Sequence, residues 1–319
     1  MKTTCLVNNY NYARYVVEAV ESALAQTRRF DEIIVVDDGS TDASRELLLS
    51  RYAQHPLVQL IEKPNQGQLS CFNEGFRRST GDLIFFLDAD DLYEPPYVED
   101  VLDIYRQAAS VDCIFVSSRT FGRTVAERDE AESDRDHGYS VLLALMLEIW
   151  IGAPTSCLSM RRSLLEKILP LPLIDDWRTR ADDCLVYGAS LAGGRKYHRA
   201  RPWVRYRVHD ANHYFGTTES PADAYRRGLA LNRLFQLMVT RMGYDRARLT
   251  ELVDREFRTF ERPTRERFAQ YAKIVRRAPL RLSHKVRLFR CLARHLCRPE
   301  RPAAPARHDG GSPTISKAA

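Results

Sequence analysis

The chain has 319 residues, of which 44% are hydrophobic, and its mean hydropathy of −0.39 is typical of a protein that dissolves in water. There is no run of about 18 apolar residues and no N-terminal segment like a signal peptide, so neither a spanning helix nor secretion is expected. Seven scattered cysteines without a CxxC pair favour a reducing, cytoplasmic location.

Charge is distributed unevenly along the chain, whose formal net charge is +6. Residues 1–221 contain 25 Lys and Arg against 33 Asp and Glu, a net charge of −8. Residues 222–301 contain 21 Lys and Arg against 8 Asp and Glu, a net charge of +13. The two parts are therefore expected to face different partners.

Residues 1–116 alternate between strand and helix patterns. Short apolar or β-branched runs predict strands, and apolar residues at helical spacing predict helices between them. The predicted strands are 3–7, 32–36, 58–61, 82–87 and 113–116, and the predicted helices are 12–26, 42–53, 67–78 and 96–108. This alternation predicts βαβ units and a doubly wound sheet, in which ligands bind beyond the carboxyl ends of the strands.

The second half of the chain is less regular. Residues 122–138 are charged and nearly free of large apolar residues, which predicts a flexible loop. The patterns predict helices at 139–149, 161–168 and 180–193, strands at 155–160 and 203–209, and a helical region at 222–298. The terminal residues 301–319 are rich in Pro, Ala, Gly and Ser and are predicted to be disordered.

Two polar motifs stand at expected ligand-binding positions near the start of predicted helices. DDGST (37–41) and NQG (65–67) each suit an ordinary tight turn. The first could equally offer a carboxylate to the base or ribose of a nucleotide, and the second could lie against a nucleotide or sugar. Both interpretations stay open when each motif is taken alone.

The sequence DADD (88–91) crowds three carboxylates at the end of a predicted strand. Two like charges about 4 Å apart cost roughly 4 kcal/mol at an effective dielectric constant of about 20. A helix beginning at Pro95 and Pro96 would absorb part of this repulsion. Mg²⁺ or Mn²⁺ would offset more of it, because these ions prefer oxygen ligands. The pattern favours a metal site, and a loop that is mobile without the metal.

Two later segments carry weaker signals. Asp182 and Asp183 begin a predicted apolar helix, where the helix dipole alone would accommodate acidic residues. The segment YRVHDANHY (206–214) contains two histidines next to an asparagine. Each segment is either a plain helix start or surface loop, or a part of the site.

Together, the order and spacing of these motifs closely resemble those of the family 2 inverting glycosyltransferases of GT-A fold. The resemblance covers about residues 3–215. It is carried by NNYNYARYVVEAVESALAQT (8–27), IIVVDDGSTD (33–42), NQGQLSCFNEGF (65–76), GDLIFFLDADDLYEPP (81–96), the Asp182–Asp183 pair and YRVHDANH (206–213). It implies a Rossmann-like, doubly wound mixed α/β sheet with a basic, α-helical C-terminal extension.

The expected domain organisation follows from the extent of this resemblance. A GT-A domain is expected at 1–215, with a nucleotide-sugar half at 1–116 and an acceptor half at 117–215. A helical basic extension is expected at 216–300, followed by the disordered tail at 301–319.

The resemblance also implies roles for individual residues. The residues expected to bind the nucleotide-sugar are Asn9, Asp37, Asp38, Asn65, Gly67, Gln68 and Asp88. A divalent cation, Mn²⁺ or Mg²⁺, would be held by Asp90 with Asp88, and His209 is a further candidate ligand. Asp183 corresponds to the catalytic base, with Asp182 as the alternative, since this chain has Asp182 where the family usually has Glu. Asp91 lies outside the D-x-D spacing and is expected to cap or orient the next turn.

The implied activity is metal-dependent transfer of a sugar, of hexosyltransferase type, from a nucleoside-diphosphate-sugar. The acceptor would be a saccharide, lipid-linked or other hydroxyl, and the setting would be envelope or exported polysaccharide or glycoconjugate synthesis. The alternative is a non-catalytic protein of the same fold that binds a nucleotide-sugar or glycan. Nucleotidyl transfer would require a glycine-rich phosphate loop after the first strand, which NNYNYA is not.

The basic C-terminal segment 283–298 has one predicted apolar face, formed by Val286, Phe289, Leu292, Ala293 and Leu296. One interpretation is peripheral contact with the anionic inner face of a membrane. The other is a helical subdomain that packs on the sheet domain through Val286, Phe289 and Leu296. Nucleic acid is not an expected partner, because no such motif is present and the aromatic residues follow apolar helical spacing.

Overall fold

A computed structural model describes residues 1–123, 133–210 and 219–297. Within these residues, nine strands form one sheet. In chain order they are β1 Thr3–Asn9, β2 Glu32–Asp37, β3 Val58–Glu62, β4 Leu83–Asp88, β5 Leu92–Tyr93, β6 Cys113–Gly122, β7 Arg135–Gly138, β8 Leu158–Arg161 and β9 Lys196–Val208. The helices are α1 Val16–Leu24, α2 Ser44–Tyr52, α3 Gln68–Arg78, α4 Tyr97–Gln107, α5 Val141–Leu147, α6 Arg162–Ile168, α7 Asp182–Leu191, α8 Pro221–Arg241, α9 Arg246–Leu249, α10 Val253–Phe257, α11 Arg265–Arg277 and α12 Leu282–Leu296.

The sheet is mixed. Its strand order is β3-β2-β1-β4-β8-β6-β9-β5, with β7 also paired to β9. β3, β2, β1 and β4 are parallel neighbours, whereas β8 runs antiparallel to both β4 and β6. This arrangement confirms the predicted doubly wound mixed sheet with a helical C-terminal region.

The central strands β1, β2 and β4 are buried on both faces, which agrees with their nearly continuous apolar sequences. Successive residues of a strand point to opposite faces, so Leu6 and Phe86 contribute to one core and Val7 and Phe85 to the other. The carboxyl ends of β1, β2 and β4 consequently meet at one edge of the sheet.

The structure corrects two predictions for the sheet and adds a strand, β5, that the sequence did not predict. Residues 135–138, expected in a loop, form β7 and pair with β9, while residues 124–132 lie outside the described residues. β9 begins at Lys196, seven residues earlier than predicted. β5 directly follows the acidic cluster and also pairs with β9. Partners distant in sequence stabilise all three segments, so local patterns did not reveal them.

The C-terminal helices pack against one another and extend one of the two cores. Leu288 and Leu292 of α12 are buried beside Phe257 of α10 and Tyr271 of α11. The predicted packing through Val286 is wrong, because that side chain is 41% exposed. No helix in the described ranges is long and apolar enough to cross a bilayer. The tail predicted to be disordered lies outside these ranges.

Candidate active site

A cavity of about 480 Å³ opens at the carboxyl edge of β1, β2 and β4. The predicted residues that line it are Asn9, Asp38, Asn65, Gly67, Gln68, Asp88, Asp90 and Asp182. Asp37, Asp183 and His209 are not in its lining but contact or neighbour residues that are. The topology thus brings together side chains that are up to 173 positions apart in the chain, from Asn9 to Asp182.

The first two acids hold the loops that shape the cavity. The Asp37 carboxylate accepts hydrogen bonds from Asn9 Nδ2 at 2.7 Å and from the Ser40 backbone N–H at 2.9 Å. Asp38 accepts from the Gly67 N–H at 2.7 Å and pairs with Lys63. These contacts fix the DDG turn against the NQG loop. A nucleotide contact for either acid stays a prediction.

Gly67 permits a close approach between this loop and the segment before α7. Its φ is +89°, and a Cβ there would lie 2.3 Å from the Arg178 Cα. The next residue, Gln68, bridges two parts of the site. Its Nε2 donates to Asp88 Oδ1 at 2.9 Å, and its Oε1 accepts from the Ala181 N–H at 2.9 Å. Gln68 therefore links the end of β4 to the start of α7.

The acids of DADD have separate environments. Asp88 also accepts from Asn8 Nδ2 at 2.9 Å, and burial together with the Asp90 charge raises its pKa to about 7. Asp90 Oδ2 lies 3.0 Å from His209 Nε2. The ring of His209 packs beside Tyr15, with the centroids 4.9 Å apart.

Asp91 turns away from the cavity. It accepts a hydrogen bond from Ser156 Oγ at 2.6 Å and from the Arg207 N–H at 2.9 Å, and burial raises its pKa. Pro96 occupies the N-cap position of α4, so Asp91 does not cap that helix. Its contact with the Arg207 N–H connects the acidic cluster to β9, and its role in orienting the next turn stays a prediction. The predicted mobility of this loop stays a prediction.

The donor set has the chemistry of a site for a hard divalent cation. Asp88 and Asp90 supply carboxylates, and the buried Asn8 Oδ1 beside Asp88 has no hydrogen-bond partner among the described residues. No group of three or more acidic, histidine or cysteine residues within 1–123, 133–210 and 219–297 is arranged to hold a metal ion alone. Mg²⁺ is commonly held by one or two protein carboxylates plus substrate phosphates. The residues therefore fit a cation that is shared with a phosphate-bearing ligand.

The acid pair at the start of α7 is divided between two environments. Asp182 faces the cavity, and burial together with the Asp183 charge raises its pKa to about 7. Asp183 is 4% exposed, and its Oδ2 has no hydrogen-bond partner among the described residues. Burial raises the pKa of Asp183, opposed by Arg180 at 4.0 Å and Arg227 at 3.8 Å.

A second cavity of about 790 Å³ adjoins the first, and both are lined by Arg178, Thr179 and Arg180. Arg180 has a φ of +57°, which is uncommon for a residue with a side chain. The sequence analysis did not predict that these three residues line the site. Their position just before Asp182 and Asp183 is the sequence feature that could have indicated it.

The sequence model described as Glycosyl transferase family 2 matches residues 4–169. An uncharacterized glycosyltransferase of Nostoc sp. is 32% identical over 258 residues, which are 76% of this chain and 77% of that protein. The chondroitin synthase of Escherichia coli is 41% identical over 114 residues, 36% of this chain but only 17% of that enzyme.

Solved structures show the same fold. Residues 1–349 of S. aureus TarS in complex with UDP-GlcNAc superpose with a TM-score of 0.57 at 16% identity, covering 93% of this chain and 88% of that one. The sheet with its acidic edge is that of a GT-A protein. The chain belongs to glycosyl transferase family 2, as the matched domain and the Nostoc relative show.

Proposed function

We propose that this protein is an inverting glycosyltransferase that moves a hexose from a nucleoside-diphosphate-sugar to an acceptor hydroxyl. The observation that carries the proposal is the convergence of Asp88, Asp90 and Asp182 on one cavity at the carboxyl edge of the sheet. The cavity volume of about 480 Å³ is within the usual range for small-molecule sites. The TarS fragment was solved with UDP-GlcNAc, so UDP-sugars are the first donors to test.

In this proposal the nucleotide lies against the DDG turn and the NQG loop. Asn9, Asp38, Asn65 and Gly67 line that side of the cavity. Asp37 acts indirectly, because its hydrogen bonds from Asn9 and Ser40 hold the turn. Gln68 orients Asp88. These contacts are formed before any donor arrives, which lowers the ordering cost of binding.

Asp88 and Asp90 would hold Mn²⁺ or Mg²⁺, with His209 orienting Asp90 through its 3.0 Å contact. The bound cation would neutralise charge on the departing diphosphate. The protein contributes the positions of its carboxylates, fixed by Asn8, Gln68 and His209. A direct bond from His209 to the cation is the alternative that the sequence suggests.

Asp183 is the proposed base that takes the proton from the acceptor hydroxyl during in-line attack. Its Oδ2 has a lone pair available, and a pKa raised by burial lies closer to operating pH, which favours proton transfer. Arg180 and Arg227 keep the carboxylate ionised against that burial. Asp182 remains the alternative base, since it faces the cavity directly.

The finer setting is also proposed. Residues 1–215 would form the catalytic unit, and 216–300 a helical extension docked on it. The enzyme would work in the cytoplasm, peripherally at the inner face of the membrane, on a saccharide or lipid-linked acceptor. The name of the Escherichia coli chondroitin synthase supports a role in envelope or exported polysaccharide synthesis.

Donor hydrolysis and thermal shift test the proposal. UDP-, GDP- and dTDP-sugars are first screened with Mn²⁺ or Mg²⁺ for their effect on the thermal stability of the protein. The donor that stabilises the protein most is then tested for metal-dependent release of its nucleoside diphosphate. A donor that stabilises the protein but is not hydrolysed or transferred to any acceptor tested would favour the non-catalytic binding protein. Product stereochemistry by NMR then tests inversion.

Variants assign the acids. Asp183→Asn is expected to lower turnover by about 10² to 10⁴-fold with donor affinity retained, because it removes the base. Asp90→Asn is expected to weaken metal-dependent donor binding. The control is Asp103→Asn, on the exposed side of α4 and paired with Arg106. A larger loss in Asp182→Asn than in Asp183→Asn would exchange the two roles, and turnover within twofold for both would refute base catalysis by the pair.

A further inference from the structure

Helix α12 has two different apolar surfaces. Leu288 and Leu292 are 2% and 0% exposed and pack inward. On the other side, Leu282 is 77% exposed and Val286 is 41% exposed. These two side chains lie one helical turn apart and therefore form one patch. A helix that is already anchored by its inner surface gains no folding stability from this outer patch.

Arginines lie beside the patch. At 100° per residue, Arg287, Arg290 and Arg294 fall on the same side of α12 as Leu282 and Val286, and all three are exposed. These five residues are called the outer face of α12. Its combination of aliphatic tips and cationic groups is typical of helices that lie in a membrane interface.

The surrounding charge has one sign. Residues 267–297 contain nine Lys and Arg and no Asp or Glu. Within the described part of the chain, no carboxylate lies within ion-pairing distance of the three outer-face arginines; Arg287 instead contacts His284. Some exposed arginines elsewhere are paired with carboxylates, as in Arg258–Asp254 at 2.6 Å and Arg233–Asp176 at 2.6 Å. The outer face therefore presents three arginine charges that no carboxylate of the described residues neutralises.

We propose that the outer face of α12 docks on the surface of an anionic phospholipid bilayer, with Leu282 and Val286 in the interface and the three arginines at the headgroups. Each basic residue near such a surface gains about 1 kcal/mol, or about fivefold in partitioning. The inference deepens the location given under the proposed function. The test measures membrane binding alone. The membrane proposal can therefore fail while the glycosyltransferase proposal holds, and the glycosyltransferase proposal can fail while the membrane proposal holds.

Two other partners fit the outer face less well. A second copy related by a two-fold axis would bring the same basic surface against itself, and like charges would repel. Single-stranded nucleic acid is held by stacking on aromatic rings, whereas the exposed apolar side chains here are aliphatic. A bilayer satisfies the charge and the aliphatic patch together.

Co-sedimentation of the full chain with vesicles tests the proposal. Phosphatidylcholine vesicles are compared with vesicles that contain about 30 mol% phosphatidylglycerol, at low and high salt. The expected result is partitioning at least tenfold stronger on the anionic vesicles, weakened by salt. Equal binding to both vesicle types, or binding to neither, would overturn the proposal.

Three variants separate charge from insertion. Arg287→Gln/Arg290→Gln/Arg294→Gln should lower partitioning on anionic vesicles by at least tenfold. Leu282→Ser/Val286→Ser should also lower it severalfold, because the aliphatic contact is lost. Leu49→Ser, a 40% exposed leucine on α2, is the matched control and should bind like the wild type.

The aliphatic variant decides between a bilayer and a soluble polyanion. If Leu282→Ser/Val286→Ser binds anionic vesicles like the wild type while the arginine variant does not, the face binds polyanions without insertion and the proposal is wrong. The same conclusion would follow if RNA displaced the protein from anionic vesicles and Leu282→Ser/Val286→Ser still bound those vesicles like the wild type. All substituted side chains are exposed, and far-UV circular dichroism verifies that each variant is folded.

Discussion

Glu256 joins the C-terminal helices to the sheet domain and makes folding stability depend on pH. It is 9% exposed, and its carboxylate accepts from the Leu142 N–H at 3.0 Å and from Tyr271 Oη at 2.7 Å. Burial raises its pKa from 4.5 to about 7, despite these hydrogen bonds. The folded state therefore binds more protons than the unfolded state between about pH 4.5 and pH 7.

The sign and size of the effect follow from this pKa. Because burial raises the pKa of Glu256 in the folded state, its contribution to the free energy of unfolding is fully present below the unfolded pKa of 4.5. This contribution is lost as pH rises through the folded pKa of about 7. A difference of about 2.5 units corresponds to about 3 kcal/mol in total, of which about 2.5 kcal/mol falls between pH 5 and pH 8. Glu256→Gln cannot ionise and keeps an amide oxygen as acceptor for Leu142 and Tyr271.

The assay is urea unfolding at pH 5, 6, 7 and 8, followed by far-UV circular dichroism. The stability of Glu256→Gln relative to the wild type should rise by about 2 to 3 kcal/mol from pH 5 to pH 8. Glu251→Gln, an exposed neighbour, controls for general charge effects and should show no such trend. A constant difference between wild type and Glu256→Gln across this range would refute the reasoning.

The donor site gives two further predictions. Gly67→Ala should destabilise the fold by at least about 1 to 2 kcal/mol in urea unfolding, because its φ is +89° and the new Cβ would meet the Arg178 backbone; unchanged stability would contradict the described loop. Gln68→Ala removes the amide that donates to Asp88 and should raise the donor dissociation constant about tenfold or more, measured by calorimetry, whereas the exposed Gln66→Ala should not. Equal affinities for both glutamine variants would show that Gln68 does not orient the site.

The sequence was most informative where local pattern and topology agree. Alternating strand and helix patterns in residues 1–116 predicted each of the strands and helices found there except β5. The largest boundary differences are at α1, which begins four residues later than predicted, and at β6, which ends six residues later. Parallel strands with polar residues at their carboxyl ends can only present those residues at one edge. For this reason Asn9, Asp38, Asp88 and Asp90, which end or follow β1, β2 and β4, could be placed at one edge from the sequence. Gln68, the first residue of α3, was assigned to the site by the family resemblance.

Long-range pairing was not accessible to the same reasoning. β7 has the sequence RDHG, which contains no apolar alternation, and it forms because β9 provides a hydrogen-bonding edge. The two adjacent acids Asp182 and Asp183 are alike in sequence, yet only the first lines the cavity at the carboxyl edge of the sheet. Adjacent residues on a helix differ in direction by about 100°, so their surroundings depend on what packs against each face.

The sequence by itself determined the family, the sheet and the set of acids at its edge, since these follow from chain order and residue type. Tertiary structure decided which partner each acid has and which faces of the C-terminal helices are covered. Val286 and Leu292 belong to the same apolar stripe in the sequence, but Leu292 packs inward and Val286 remains exposed. Burial depends on the helices α10 and α11 that happen to lie beside α12, and local periodicity carries no information about those neighbours.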